Sequence, residues 1–108
     1  MTSKLEHPLQ TKCLRWAKAQ QGVWIFKVVG SAVQESGVPD TILCVNGKFV
    51  AIELKRPDGE GVVSDIQVAQ IDRIHRAGGV AEVVDSFQDF KDIVEHYLHH
   101  GTLQPTGL

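Results

Sequence analysis

Apolar residues recur every three or four positions in three segments of the chain, which is the spacing of one face of a helix. In the first segment they are Leu9, Cys13, Trp16 and Ala17. In the second they are Ile66, Ala69, Ile71 and Ile74, and in the third Phe87, Phe90, Ile93, Val94, Tyr97 and Leu98. Gly22 and Gly78-Gly79 end the first two patterns, and Ser64 and Ser86 precede the last two as N-cap residues. The pattern therefore predicts three amphipathic helices.

The segments between these helices contain nearly continuous apolar runs of strand length. They are Val23 to Val29, Thr41 to Val45, Phe49 to Leu54 and Val80 to Val84. Such runs are typical of strands buried on both faces, so we expect helices on each side of the sheet, with Trp24 and Phe26 in the core. The order αβββαβα predicts an α/β fold with a small mixed sheet flanked by helices. We expect one domain over residues 1–100 and a flexible tail over 101–108.

Asn46-Gly47 separates the second and third runs and is a strong signal for a two-residue hairpin turn. If Val45 pairs with Lys48, the same register places Asp40 opposite Glu53. Their Cβ atoms would then lie roughly 4.5–5.5 Å apart, where two like charges destabilise a sheet. Lys55 lies two residues beyond Glu53 and projects from the same face. Two facing carboxylates beside an ammonium group suggest a site for a divalent metal ion.

Composition narrows the class of protein without deciding its function. The chain has 108 residues, of which 43% are hydrophobic and 22% charged, as in a soluble globular domain. No apolar run approaches the ~18 residues of a membrane span, and no secretion signal begins the sequence, so a cytoplasmic location is the expectation. Cys13 and Cys44 lack metal-ligand spacing and are interpreted as reduced core thiols. Residues 1–77 carry a net charge of +2 and residues 78–108 one of −4, which neither supports nor excludes nucleic acid.

The chemistry that suits the facing carboxylates is hydrolysis of a phosphodiester. Magnesium prefers hard oxygen ligands, typically one or two carboxylates with water and substrate phosphate. Asp40 and Glu53 can supply the carboxylates, and the backbone carbonyl of Leu54 could add a third oxygen. Lys55 can orient or activate the attacking water, and its charge suits the negative transition state. The other interpretation is an ion cluster at a strand end, with Lys55 and Arg56 neutralising the acids.

At these residues the chain resembles the PD-(D/E)XK nucleases, with Pro39-Asp40 and Glu53-Leu54-Lys55 as the signature pieces. It is most similar to the VRR-NUC family, the virus-type replication–repair nuclease domain. The shared run of motifs is Gly37-Val38-Pro39-Asp40, then Phe49 to Pro57, then Gln67 at the start of a helix. The resemblance implies a restriction-endonuclease-like core and Mg²⁺, with Mn²⁺ able to substitute. It implies that Asp40 and Glu53 bind the metal and that Lys55 is the catalytic lysine.

Two further residues take a role from the resemblance, and each has a structural alternative. Gln67 is similar to a helix glutamine that reaches the active site, and Glu6 to an additional acidic residue near the metal. Ser64 and Gln67 also form a capping box, as do Ser3 and Glu6, and a cap fully explains either spacing. For Gln67 the two roles compete for one side chain, so both interpretations stay open.

Basic residues could hold the phosphates of a DNA substrate. The candidates are Lys12 and Arg15 on the first helix, Lys27 on the first strand and Arg56 after the third. A solvated charged helix face also explains Lys12 and Arg15. Whether the Lys27 side chain points into the cleft stays open.

The sequence thus predicts a Mg²⁺-dependent endodeoxyribonuclease. The resemblance implies branched DNA, such as four-way (Holliday) junctions, as substrate and a homodimer as the acting form. It also makes a phage or prophage origin the expectation by analogy, with no small-molecule cofactor and no membrane partner. Two alternatives stay open: a nicking or repair endonuclease acting on duplex or flap DNA, and a non-catalytic DNA-binding module that retains the nuclease fold.

Overall fold

The computed structural model describes residues 8–29, 36–56 and 63–100. Within these ranges the chain forms three helices and one four-stranded sheet. The helices are α1 (Pro8–Lys18), α2 (Asp65–Arg76) and α3 (Phe87–His100), and the strands are β1 (Val23–Lys27), β2 (Thr41–Val45), β3 (Lys48–Leu54) and β4 (Val80–Val84). The predicted order αβββαβα and the α/β class are confirmed. The predicted tail, residues 101–108, lies outside the described residues.

The sheet has the order β1-β2-β3-β4, in which β1, β2 and β3 pair antiparallel and β3 pairs parallel with β4. Asn46 and Gly47 join β2 to β3 and both have positive φ, at 49° and 86°. Two positive φ angles define the hairpin turn whose twist matches that of the strands, and Asn-Gly favours them. Val45 pairs with Lys48, as the sequence predicts. Helix α2 then provides the crossover that a parallel β3–β4 pair requires.

One face of the sheet, the covered face, carries the hydrophobic core. Helices α1 and α3 both pack on it and contact each other. The largest fully buried side chains are Phe90, Leu43, Ile52, Val45, Val50 and Val94. Trp16 joins the two helices through edge-to-face contacts with Phe87 and Phe90, at centroid distances of 5.9 and 6.2 Å. Cys13 is fully buried among these residues, so its prediction as a core thiol is confirmed.

The opposite face is only partly covered, contrary to prediction. Helix α2 packs along β4 at one edge, and none of its side chains is buried. Trp24 and Phe26, on β1 at the other edge, are 59% and 43% exposed, and Cys44 on β2 is exposed. The prediction that these three residues lie in the core is therefore wrong. The physical reason is that α1 and α3 both lie on the covered face, so β1 and β2 have no described helix over their other side.

Across the described part of the chain, no helix has the length and apolar character that crossing a membrane requires.

Candidate active site

The hairpin brings Asp40 and Glu53 together at the end of β2 and β3. Thr41 pairs with Ile52, so the predicted register is confirmed and the next residues of the two strands face each other. The backbone N–H of Asp40 donates to Glu53 Oε1 at 3.2 Å, and the N–H of Leu54 donates to Asp40 Oδ1 at 3.0 Å. Each carboxylate thus accepts a hydrogen bond from the other strand. By the alternation of the strands, both side chains lie on the partly covered face.

The two carboxylates are held in an unfavourable electrostatic environment. Glu53 is only 7% exposed. Burial, and next the charge of Glu53, raise the pKa of Asp40 from its ordinary value of 3.8 to about 7, against the opposing effects of the Leu54 N–H and Lys55. A divalent cation would relieve this repulsion, and carboxylate oxygens are the ligands that Mg²⁺ prefers. The donor set therefore fits a hard divalent metal ion held by Asp40 and Glu53.

Lys55 and Gln67 surround the outer oxygen of Glu53. Lys55 Nζ lies 3.3 Å from Glu53 Oε2, and Gln67 Nε2 donates to the same oxygen at 2.8 Å. Lys55 Nζ also donates to Gln67 Oε1 at 3.1 Å. The three side chains form a closed triangle of hydrogen bonds between β3 and α2, which fixes the lysine ammonium next to the carboxylate pair.

Gln67 caps its own helix while it makes these contacts. The Gln67 N–H donates to Ser64 Oγ at 3.2 Å and the Ser64 N–H donates to Gln67 Oε1 at 3.0 Å, which completes a capping box. The expectation that capping and site contact compete for one side chain is wrong. The amide has two ends: its oxygen accepts from both Ser64 and Lys55, while its nitrogen donates to Glu53.

Gln10 on α1 is a site residue that the sequence reasoning missed. Its side chain is 8% exposed, and Nε2 lies 3.5 Å from Asp40 Oδ2, at the long limit of a hydrogen bond. The signal was present in the sequence, because Gln10 shares the helical spacing of the buried Cys13 and Ala17. A polar residue within an apolar helical stripe indicates a buried partner, and here the partner is a carboxylate 30 residues away.

The other predicted site residues are scattered. Glu6 lies outside the described residues. Lys27 pairs with Thr41 in register and therefore projects from the covered face, opposite to Glu53. Lys12 Nζ lies 4.5 Å from the centre of the Phe87 ring, while Arg15 is exposed on α1 and Arg56 is exposed after β3.

Leu54 has a defined position in the site. It contacts Asp40 through its backbone N–H, and this contact orients a carboxylate oxygen of Asp40. Among the described residues, no group of three or more His, Cys, Asp or Glu side chains could hold a metal ion. Asp40 and Glu53 therefore have no third side chain of these types grouped with them among the described residues.

The class of fold is defined by a small mixed sheet in αβββαβα order. Facing carboxylates and a lysine lie where β2 and β3 end, away from the turn of their hairpin. Two solved structures share this architecture. A structure titled "VRR_NUC domain protein" superposes with a TM-score of 0.73 at 20% identity, covering 90% of each chain. A second, titled "VRR_NUC domain", has a TM-score of 0.66 at 23% identity and covers 83% of this chain and 94% of the other. The resemblance drawn from the motifs is thereby confirmed at the level of the fold.

A third structure shares less of the arrangement. It is an archaeal Holliday junction resolvase, Hjc from Archaeoglobus fulgidus, with a TM-score of 0.49 at 24% identity over 78% of this chain and 67% of the other. Neither a protein-family profile nor a curated protein sequence matches the chain. The comparisons therefore define the fold, and the chemistry depends on the residues of the site.

Proposed function

We propose that this protein is a divalent-metal-dependent endonuclease that hydrolyses the phosphodiester bonds of DNA. The observation that carries the proposal is the pair of facing carboxylates, Asp40 and Glu53, with Lys55 hydrogen-bonded beside them. A structural ion pair would need one acid and one base, whereas this site places a half-buried acid, Asp40, against a buried one, Glu53, and raises the pKa of Asp40. The shared fold with VRR_NUC domain structures supports the same function.

Asp40 and Glu53 are the residues that would hold Mg²⁺. When bound, the ion would polarise the scissile phosphate and lower the pKa of an attacking water. Lys55 would place its ammonium near the charge that develops on the phosphate oxygens, where a fixed cation is most effective. Gln67 holds the Lys55 ammonium and the Glu53 carboxylate in fixed relative positions. The Leu54 N–H orients one oxygen of Asp40, and the Gln10 amide approaches the other.

Cleavage of labelled oligonucleotides tests the proposal. Wild-type protein should cut DNA with Mg²⁺ or Mn²⁺, and Asp40→Asn and Glu53→Gln should each lower the rate by about a thousand-fold, because metal-ion catalysis supplies several kcal/mol. Asp92→Asn is the matched control, since Asp92 is a carboxylate on α3 that bonds to Gln88 at an exposed position. Cleavage by either site variant at the wild-type rate would disprove the assignment.

Lys55→Met separates the role of the lysine from that of the metal ligands. This variant should retain Mn²⁺ binding in a calorimeter and lose cleavage, because the two carboxylates remain. If wild-type protein binds DNA but takes up no Mn²⁺, the non-catalytic DNA-binding module is the better description.

We propose branched DNA as the substrate and a homodimer as the acting form. The support is the motif resemblance, together with symmetry: a small domain with one site can treat a two-fold substrate symmetrically only as a two-fold dimer. Rates on a four-way junction, a flap and a linear duplex of equal length distinguish the substrates. Equal or greater rates on the duplex or the flap would favour a nicking or repair endonuclease.

A further inference from the structure

The face of the sheet that carries the two carboxylates also presents three exposed aromatic side chains. Trp24 and Phe26 on β1 and Phe49 on β3 are 59%, 43% and 44% exposed. Trp24 pairs with Cys44, which pairs with Phe49, so these two rings lie in one row across three strands. Trp24 and Phe26 pack edge to face at a centroid distance of 5.2 Å. We call Trp24, Phe26 and Phe49 the aromatic face.

A groove beside α2 extends the aromatic face at Phe49. Its volume is about 490 Å³, and it is lined by Phe49, by Gln70, Arg73 and Ile74 of α2, and by Gly78-Gly79. Gly79 allows the Phe49 ring to lie against the backbone, because a Cβ there would be 2.9 Å from Phe49 Cδ2. Pockets of this size hold small organic groups, and they combine apolar walls with a few polar side chains.

The groove carries positive charge beside the aromatic rings. Arg73 is part of its lining, and Lys48 Nζ donates to the Gly78 carbonyl at 2.9 Å, which places an ammonium group at the same turn. The described residues that line the groove include no Asp or Glu. Exposed rings next to cations are typical of surfaces that bind single-stranded nucleic acid, where rings stack on bases and cations contact the phosphates.

We propose that the aromatic face and the groove bind unpaired bases of the DNA substrate, and this step rests on the proposed function. In a duplex each base already stacks on its neighbours, so a flat aromatic surface gains little from it. An unpaired base offers its whole ring face for stacking. The charges also favour DNA as the occupant. A second copy of the chain would bring the same two cations, Lys48 and Arg73, to this surface, and like charges are unfavourable in an interface.

The distance between the groove and the carboxylates fits one DNA strand that spans both. Phe49 and Glu53 project from the same face of β3 and are four residues apart, which is roughly 13 Å. Stacked nucleotides rise about 3.4 Å each, so a base at Phe49 lies about four stacked nucleotides, or fewer extended ones, from a phosphate at Glu53. Helix α2 borders both places, because Gln67 contacts Glu53 and Arg73 lines the groove. The unpaired bases would therefore lie a few nucleotides from the bond that is cut.

Tryptophan fluorescence tests this binding without metal and without cleavage. The chain has two tryptophans: Trp16 packs against the core, and Trp24 is 59% exposed. Titration of the full chain with a decathymidylate oligonucleotide in EDTA should quench the Trp24 emission as a base stacks on the ring. Emission that does not respond to the oligonucleotide would overturn the proposal. Emission that responds only to protein concentration would do the same, because a second copy would then cover the rings.

Two substitutions of Trp24 separate stacking from apolar contact. Trp24→Leu keeps an apolar side chain but no ring, and should raise the dissociation constant for labelled decathymidylate about 5–100-fold, the effect of losing one stacked base. Trp24→Phe keeps a ring and should retain most of the affinity. Val68→Ala is the matched control: Val68 is 53% exposed on α2 and does not line the groove, so the affinity should be unchanged. Wild-type affinity in Trp24→Leu would overturn the proposal.

The salt dependence of the same binding tests the groove. Arg73→Gln should reduce the slope of log affinity against log salt concentration by about 0.7, the value for one phosphate contact on a single strand. Arg73→Lys keeps the charge and should keep the slope. Equal slopes for the wild-type protein and Arg73→Gln would show that the DNA backbone does not enter the groove, and would overturn its assignment.

Cleavage rates keep this proposal distinct from the proposed function. With Mg²⁺, wild-type protein at limiting concentration should cut a four-way junction with unpaired thymidines at its branch point at least about fivefold faster than the fully paired junction, and Trp24→Leu should lose this difference. Quenching of Trp24 by decathymidylate in a protein that cuts no DNA would disprove the nuclease assignment and leave the base-binding surface standing. Cleavage without quenching, and without an advantage from unpaired thymidines, would do the reverse.

Discussion

The two faces of the sheet are built from the same strands, but one carries the hydrophobic core and the other carries the candidate site. On the covered face, α1 and α3 enclose the large buried side chains, and Phe90 and Val94 are fully inaccessible. The other face carries two carboxylates and exposed aromatic rings, and α2 contributes no buried residue there. Because one face is closed and apolar, it can supply the free energy of folding, and the second face can hold groups that oppose folding.

This division shows where the unfavourable charges can be accommodated. Asp40 and Glu53 repel each other, and their repulsion contributes to the raised pKa of Asp40. Paired carboxylates within the enclosed core would be far more costly, since the desolvation of each charge would be complete. At the end of the hairpin they keep partial contact with solvent and accept backbone hydrogen bonds.

The largest effect expected is a difference in stability between phenylalanines on the two faces. Phe90→Ala should lower the free energy of unfolding by about 3–5 kcal/mol, because it leaves a cavity in the core. Phe49→Ala should lower it by about 1 kcal/mol or less, because the ring is already 44% exposed. Urea denaturation at protein concentrations below dimerisation measures both. Equal losses would mean that the two faces contribute alike to folding.

The pH dependence of the free energy of unfolding tests the face of the sheet that carries the site. The folded-state pKa of Asp40 is raised from 3.8 to about 7. Between these values the folded state binds a proton that the unfolded state does not. The metal-free protein should therefore gain stability as the pH falls below about 7, by at most about 4 kcal/mol at 1.36 kcal/mol per unit, and lose it as the pH rises through 7.

The matched variant for that titration is Asp40→Asn, which carries no titrating group at this position. Its stability should lack this component of the pH dependence. Above pH ~7 and without metal, the variant should be more stable than the wild-type protein, whose Asp40 is then ionised in a half-buried position beside Glu53. Identical pH profiles for the two proteins in urea denaturation would show that Asp40 is not destabilised in the fold.

The sequence predicted correctly those features that follow from a local rule, including the pairing of residues several positions from the turn. The Asn46-Gly47 turn requires two positive φ angles, and these set a register that carries Asp40 opposite Glu53 several residues away. The capping box of α2 and the helix stripes are equally local. The roles of Asp40, Glu53 and Lys55 stay predictions until the cleavage experiment is done.

The remaining features depend on how separate elements dock. An apolar run has the same sequence pattern whether its strand is covered on one face or on both. The sequence of β1 therefore did not predict that Trp24 and Phe26 would be exposed. Gln67 was assigned one role at a time because a sequence does not show where both ends of an amide point. Gln10 required the docking of α1 against a residue 30 positions later.

Ser64→Ala and Gln67→Leu separate the two roles of the Gln67 side chain. Both variants break the capping box and should cost about 1 kcal/mol of stability. Only Gln67→Leu also removes the hydrogen bonds to Glu53 and Lys55, so it alone should reduce Mg²⁺-dependent cleavage, by about 10–100-fold. Equal cleavage rates for the two variants, measured at a temperature where both are folded, would reduce Gln67 to a helix cap.

Gln10→Leu gives the smallest effect and tests whether the covered layer contributes to the site at all. Helix α1 packs on the covered face, yet the buried amide of Gln10 reaches Asp40 Oδ2 at 3.5 Å. A leucine of similar size should lower the free energy of unfolding by no more than about 1 kcal/mol, because Asp40 Oδ2 loses a donor that is already at the long limit of a hydrogen bond. Mn²⁺ affinity should fall about tenfold, because Asp40 loses a hydrogen bond that orients its outer oxygen. Gln21→Leu, on the exposed turn after α1, is the matched control. Unchanged metal affinity in Gln10→Leu would mean that the two faces are functionally separate and that the contact only fills space.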